Sequence, residues 1–177
     1  MSRAQLLAAG VSRGKISRAL HGGNLHRIHS GVYATVAPEL LTEDGHLVAA
    51  LLAAGDGALL SHGTAAWRWR IIPAPPSVIT LAVPRHRTVE GLKLHVSGTL
   101  RPGDITDNGR FATTTVARTL LDLATRYDRR ALLRALAEAE FRHDLRPRTS
   151  SALCVAGTRA APASERPSHS TRPATAR

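Results

Sequence analysis

The first 38 residues contain no aspartate or glutamate. Carboxylates on a binding face repel a phosphate backbone, so their absence leaves this segment open to a polyanionic partner. Aromatic residues are also scarce, at 3% of the 177 residues. The core must therefore be built from Leu, Ala, Val and Ile. A lone cysteine, Cys154, excludes an intramolecular disulfide framework and any multi-cysteine zinc site. No apolar run approaches the length of a membrane span, and no signal-peptide core follows Met1-Ser2-Arg3. These absences predict a soluble cytoplasmic protein with no membrane partner.

What the acid-free segment holds is basic: Arg3, Arg13, Lys15, Arg18 and Arg27, with His21, His26 and His29. Its apolar spacing fits two short helices and a tight turn. Leu6 and Leu7 lie on the first, Gly10 is placed to end it in the left-handed conformation, and Val11 packs behind. Ser12 caps a second helix, Arg13 to His21, with Ile16, Ala19 and Leu20 on one face. Arg13, Lys15, Ser17, Arg18 and His21 then lie on or near the other. Gly22-Gly23-Asn24 breaks the helix. Leu25 to Ile28 and Val32 to Ala34 read as two short strands, a wing on which Arg27 and His29 are expected to be exposed. Residues 1–38 thus have the layout of a winged helix-turn-helix whose second helix enters a DNA major groove. Arg13 or Arg18 suits guanine, whereas Lys15 suits phosphate. A solvated helix pair in a partner-binding domain fits the same spacing.

The formal net charge of +11 is unevenly spread. Residues 39–145 hold 13 Lys/Arg and 12 Asp/Glu, the balance of a folded domain. Residues 146–177 hold six Arg, no Lys and one Glu among many Ala, Ser, Thr and Pro. Their one sizeable apolar cluster is Leu153-Cys154-Val155, too little to offset the entropy of ordering, so a disordered tail is expected. Two origins fit it: an out-of-frame ending of a longer gene, or a basic tail that adds nonspecific DNA affinity.

The middle of the chain reads as a small mixed α/β unit. Thr42 caps a helix carrying Leu47, Val48, Leu51 and Leu52 that ends near Gly55. Ala58-Leu59-Leu60 is a short strand. Ser61 caps a helix through Ala65, Ala66 and Trp67, stopped by Pro73 to Pro76. Val78 to Val83 is the strongest strand, with Leu92 to Val96 alternating beside it and Arg85-His86-Arg87 as a basic loop between. Asp104 to Phe111 is a hairpin with Asn108-Gly109 as its two-residue turn. Thr114 caps a helix with Val116, Leu120, Leu121 and Leu123. Asp128 caps the last helix, with Leu132, Leu133 and Leu136 inward. Trp67 and Trp69, read as exposed, are the one hint of a dimer seam.

Four runs resemble the AbiEi-type antitoxin family in its actinobacterial branch: Arg3 to Ser12, Leu25 to Ala34, Leu60-Ser61-His62-Gly63-Thr64-Ala65-Ala66-Trp67, and Thr113 to Ala124. The resemblance covers about residues 1–145. It implies a winged helix followed by an antitoxin-like α/β domain that represses its own operon. It also implies a nucleotidyltransferase-like toxin as functional partner, countered in a type IV arrangement without obligatory contact. Relatives carry a further helix ahead of the segment matching Arg3-Ala4-Gln5, so a winged helix lacking its first helix is expected. Many also end in a domain similar to the very-short-patch-repair endonucleases. Nothing like its acidic metal-binding core appears here, which agrees with an out-of-frame ending.

Catalysis is not expected. Ser61 and His62 are sequence neighbours without a third group to position them, and read as a cap and a first-turn polar residue. His21, His26 and His29 straddle a turn and a strand with no carboxylate or thiol nearby, so zinc is not expected. Glu138 and Glu140 point apart on one helix, and no Gly-rich phosphate loop follows a strand. No cofactor is called for. The sequence leaves three roles open. The first is a DNA-binding regulator with double-stranded DNA as partner. The second is an interaction module that neutralises or recruits a protein, and the third a truncated remnant of a nuclease-linked protein.

Overall fold

Serine hydroxyls open the first two helices. The computed structural model describes residues 1–98 and 100–145. The expectations for residues 146–177, Cys154 among them, lie outside the described residues. Ser2 caps α1 (Arg3–Ala8) by accepting from the Gln5 amide, and the Gln5 side chain accepts from the Ser2 amide in return. Ser12 accepts from the Lys15 amide at the start of α2 (Arg13–His21). Between them Gly10 has φ +80°, the conformation a tight helix exit requires. Two antiparallel strands follow, β1 (His26–His29) and β2 (Val32–Ala34), with an irregular register between Arg27 and His29. The chain start lies along β2. Met1 and Tyr33 exchange backbone hydrogen bonds, Ser2 bridges to Val32, and the Arg3 amide donates to Gly31 at 2.7 Å. Leu6, Ile16, Leu25 and Tyr33 form a small buried core, edged by Val11, Ala19 and Leu20.

Helix α3 (Glu43–Ala54) serves two cores at once. Thr42 caps its start, and Gly55, at φ +87°, ends it. Arg87 donates to the Ala54 carbonyl, placing a cation at the negative end of the helix. Ala49 and Ala53 face the hairpin through Val32, with Ile28, Leu52, Val89 and Leu92 around them. Leu47, Ala50 and Ala54 instead pack with Leu60, Leu81, Val83 and Phe111.

The second core belongs to a five-stranded mixed sheet. Its strands are β3 (Leu59–Leu60), β4 (Ile79–Val83), β5 (Leu92–Val96), β6 (Ile105–Asp107) and β7 (Ala112–Thr114), in the order β5-β4-β3-β7-β6. β4 and β5 run parallel, as do β3 and β7, while β3–β4 and β6–β7 are antiparallel. Alternation along the strands decides what each face presents. The register puts Leu60, Leu81 and Leu94 on the α3 side and Thr80, Ala82, Lys93 and His95 on the other. α4 (His62–Arg68) follows β3 directly and serves two cores: Ala65 packs on the α3 side with Leu60 and Leu81, whereas Ala66 packs with α5 and α6. The Thr80 amide donates to Thr64 Oγ1 at 2.8 Å, fixing helix to sheet. α5 (Val116–Ala124) packs on α4, and α6 (Arg129–His143) packs on α5. Their shared core is Ala66, Ile71, Leu120, Leu123, Ala135 and Ala139. No helix of the described residues is long and apolar enough to cross a membrane.

A mixed α/β architecture is thus present, and several local expectations need correction. The hairpin turn is displaced by one residue. Asn108 donates its amide to Phe111 O, so Gly109-Arg110 make the turn, with φ +86° at Gly109. Thr115, not Thr114, caps α5; Thr114 is buried in β7 and its hydroxyl pairs with that of Thr119 at 2.8 Å. Ser61 precedes α4 but its hydroxyl caps no amide there. Trp67 and Trp69 are half-buried, and Trp69 Nε1 donates to the Thr114 carbonyl at 2.9 Å. Leu132 and Leu136 face the core, whereas Leu133 is 47% exposed because its position falls off the Ala135–Ala139 stripe.

Leu120 is 1% exposed and shares its core with α4 and α6. Leu120→Ala should therefore lower the urea unfolding free energy by about 2–5 kcal/mol. Leu133→Ala should change it by less than about 0.5 kcal/mol. Equal losses in the two variants would overturn the assignment of the inner face of α6.

Candidate nucleic-acid interface

The face of α2 opposite Ile16 is solvent-exposed along its length. Arg13, Ser17 and His21 fall at successive four-residue intervals on one stripe, with Arg18 next to it and Lys15 on the far side of Arg18, and all five are exposed. The side chains anchor locally to the helix itself: Arg18 Nε reaches the Gly14 carbonyl at 3.5 Å, and His21 Nδ1 meets the Ser17 carbonyl at 2.8 Å. Arg18 and His21 also sit in the last turn, where the helix dipole favours positive charge.

The hairpin brings part of the predicted set to this helix. A shallow groove between α2 and β1 is lined by Ser17, His21, His26 and Arg27 among others, with Leu20, Leu25 and Pro38 as its apolar floor. Arg27 is exposed, as expected. Arg3 is exposed on α1, its backbone tied to Gly31 in the hairpin turn. His29 departs from expectation. It is half-buried where the hairpin meets the chain ahead of β5, with a backbone hydrogen bond to Glu90 and His46 nearby. Burial lowers its pKa below the usual value, an effect that outweighs the Glu90 contact. The irregular register after Arg27 accounts for the change of direction: it turns His29 inward where strict alternation keeps it with Arg27. Among the described residues no group of three or more His, Cys, Asp or Glu is arranged to hold a metal ion.

A second polar cluster lies on the sheet face that carries Lys93 and His95. The rings of His62 and His95 stack, with centroids 4.2 Å apart and planes 19° from parallel. His62 Nδ1 is 3.1 Å from Ser61 Oγ and 3.9 Å from Asp122 Oδ2. Arg118 Nε donates to Asp122 Oδ1 at 2.9 Å, and its Nη1 lies 3.8 Å from Asp104. Arg126 Nη2 is 3.4 Å from His95 Nε2. A guanidinium only donates, so that nitrogen of His95 is the unprotonated one. His62 also has φ +50°, rare for a residue with a side chain and costing roughly 1–3 kcal/mol. Burial pushes the His62 pKa down to about 4, helped by repulsion from His95 when that ring is protonated and by the positive charge of Arg126, Arg118 and Lys93. Burial raises the Asp122 pKa, and Arg118 opposes the rise.

Sequence reasoning singled out Ser61 and His62 and lacked the third group. That group, Asp122, lies on α5 and becomes a neighbour only when α5 packs on α4. The geometry is not a nucleophile and its base, since Ser61 is 1% exposed and the same imidazole nitrogen faces both Ser61 and Asp122. The available signal for His95 was the alternation of β5, which puts Lys93 and His95 on one face. Comparison with protein-family models and with curated proteins finds no match to this chain.

The depressed pKa of His62 makes stability depend on pH in one direction. The unfolded side chain binds a proton near pH 6.5, and the folded one near pH 4. Between those values the unfolded state holds more protons, so stability falls as pH falls. The loss is absent above pH 6.5 and complete below about 4. His95 and His29, also lowered, act in the same direction, and Asp122, raised, acts against them. In chemical denaturation across this range, His62→Asn should make the acid limb shallower, since asparagine tolerates the left-handed backbone and carries no titrating proton. An unchanged limb would mean that His62 protonates freely in the folded state.

Proposed function

We propose that this protein is a DNA-binding transcriptional regulator of the AbiEi antitoxin type, which represses its own promoter or operon from the cytoplasm without catalysis or cofactor. The observation that carries this reading is the α2 face, where Arg13, Lys15, Ser17, Arg18 and His21 are exposed in a segment that contains no carboxylate. In this reading the α1–α2 pair and the β1–β2 hairpin act as a winged helix-turn-helix. The exposed face of α2 enters the major groove, and Arg27 with Arg3 meets the backbone on either side. His29, half-buried, falls outside this set. The resemblance of four separate runs to the AbiEi family supports the same role and supplies a nucleotidyltransferase-like toxin as functional partner.

A second reading, an interaction module that neutralises or recruits a protein, is favoured by Phe141 and Leu133, large apolar side chains exposed on α6. Co-purification with a neighbouring gene product that is lost in Phe141→Ser would support it.

The first reading is tested by fluorescence anisotropy of the full chain on its own upstream DNA and on scrambled duplex, at several salt concentrations. Preference for the upstream fragment, with log affinity falling linearly in log salt, is the expected outcome. Arg13→Ala and Arg18→Ala should each weaken operator binding by about 1–3 kcal/mol if those side chains read bases. Equal affinity for both duplexes, or unchanged operator affinity in both variants, would overturn the assignment of α2.

A further inference from the structure

The cluster around His62 and His95 has a charge pattern that internal pairing does not account for. Its carboxylates are Asp122 and Asp104, and both are engaged by Arg118. Two further cations approach the imidazoles from solvent-exposed positions: Lys93 on β5 and Arg126 at the end of α5. Among the described residues neither meets a carboxylate. Arg126 spends a donor on the lone pair of a neutral imidazole, which leaves its positive charge uncompensated. Lys93 shares its sheet face with His95 and makes no ion pair among the described residues. Meanwhile the His62 Nδ1 is taken by the Ser61 hydroxyl at 3.1 Å, and its Nε2 has no hydrogen-bond partner among the described residues.

Stacked imidazoles beside two unpaired cations form a poor environment for a proton and a favourable one for an anion. An oxyanion placed there accepts from Lys93 and Arg126, and its charge lets His62 or His95 take up a proton and donate as well. A tetrahedral group with several oxygens uses all these donors together, whereas a chloride ion does not. The left-handed backbone at His62 is a cost consistent with holding a ring in a functional position. We propose that Lys93, His95, Arg126 and His62 form a binding site for a phosphoryl group, entered across the edge strand β5. The site lies on a different element set from α2 and stands whether or not α2 reads DNA.

The test is a titration of the full chain with inorganic phosphate at constant ionic strength, followed by NMR of the histidine ring protons. The expected result is a saturable movement of the His62 and His95 signals toward their protonated positions. Arg126→Gln and Lys93→Gln, both at exposed sites, should each weaken that response about tenfold, the worth of one charge-assisted contact. His21 and His26 report separately on the α2 surface, and their behaviour does not bear on this site. A nucleoside monophosphate binding more tightly than phosphate would identify a free nucleotide as the source. A dinucleotide lacking terminal phosphate, if it binds more tightly, would identify a nucleic-acid backbone. His62 and His95 signals that do not move, or that move equally with matched chloride, would overturn the proposal. So would a response that persists undiminished in both variants.

Discussion

One buried hydrogen bond, from the Thr80 amide to the Thr64 hydroxyl, sets the distance between α4 and the sheet. With so few aromatic side chains, this contact is made by small residues. Ala65 and Ala66 are fully buried, so the helix backbone comes close to the strands. Close approach leaves little tolerance for an unsatisfied amide, and a buried donor without a partner costs about 1–3 kcal/mol. Buried threonine hydroxyls also make contacts around β7. Thr113 donates to the Leu60 carbonyl, and Thr114 pairs with Thr119. The placement of α4 then fixes where Ser61 and His62 fall, and with them the ring that stacks on His95.

Charge is organised differently in the two halves of the structure. In residues 39–145 four carboxylates form ion pairs among the described residues. Asp44 takes Arg68 and Arg110, Asp122 and Asp104 take Arg118, and Glu138 takes Arg142. Several of these pairs are partly exposed and contribute little to stability. Their effect is to cancel charge locally, around α3, α5 and α6. On α2 the cations face water on a helix of regular geometry. At Lys93 and Arg126 they face a pair of half-buried imidazoles. The same sign of charge therefore has two physical settings: an open, strongly screened one, and a partly desolvated one in which each contact is stronger.

How much of this was legible in the sequence follows from the range of each interaction. Helix starts at Ser12, Thr42 and Asp128 were readable because a cap bonds to an amide only a few residues away. The strand Val78 to Val83 was readable because burial on both faces demands continuous apolar residues. The cap of α5 was misplaced by one residue because Thr113, Thr114 and Thr115 are equivalent locally. Only the sheet decides that Thr114 is buried in β7. The exposure of Leu133 and the burial of His29 have a similar origin, since both depend on which neighbour occupies the opposite side. The exposure of Arg13, Lys15, Ser17, Arg18 and His21 was readable because one amphipathic helix contains them all. The His62–His95–Asp122 cluster was not readable, because its members belong to three elements and meet only after packing.

The shared use of α3 bears on how these parts act together. A unit of 38 residues buries too little apolar surface to be stable alone without a metal, disulfide or partner. Here the missing surface comes from Ala49 and Ala53, which complete the hairpin side around Val32. The opposite side of the same helix supplies Leu47, Ala50 and Ala54 to the sheet. Alanines on the first side let the hairpin approach closely, and close packing at that seam resists rotation of one unit against the other. The basic face of α2 is then carried by the α/β unit as part of one packed body rather than on a tether. An anion taken up at the edge of β5 acts on the same sheet that α3 covers, where Leu92 and Leu94 contact the shared helix core. The sheet and the hairpin beside α2 therefore share α3 as their common packing partner.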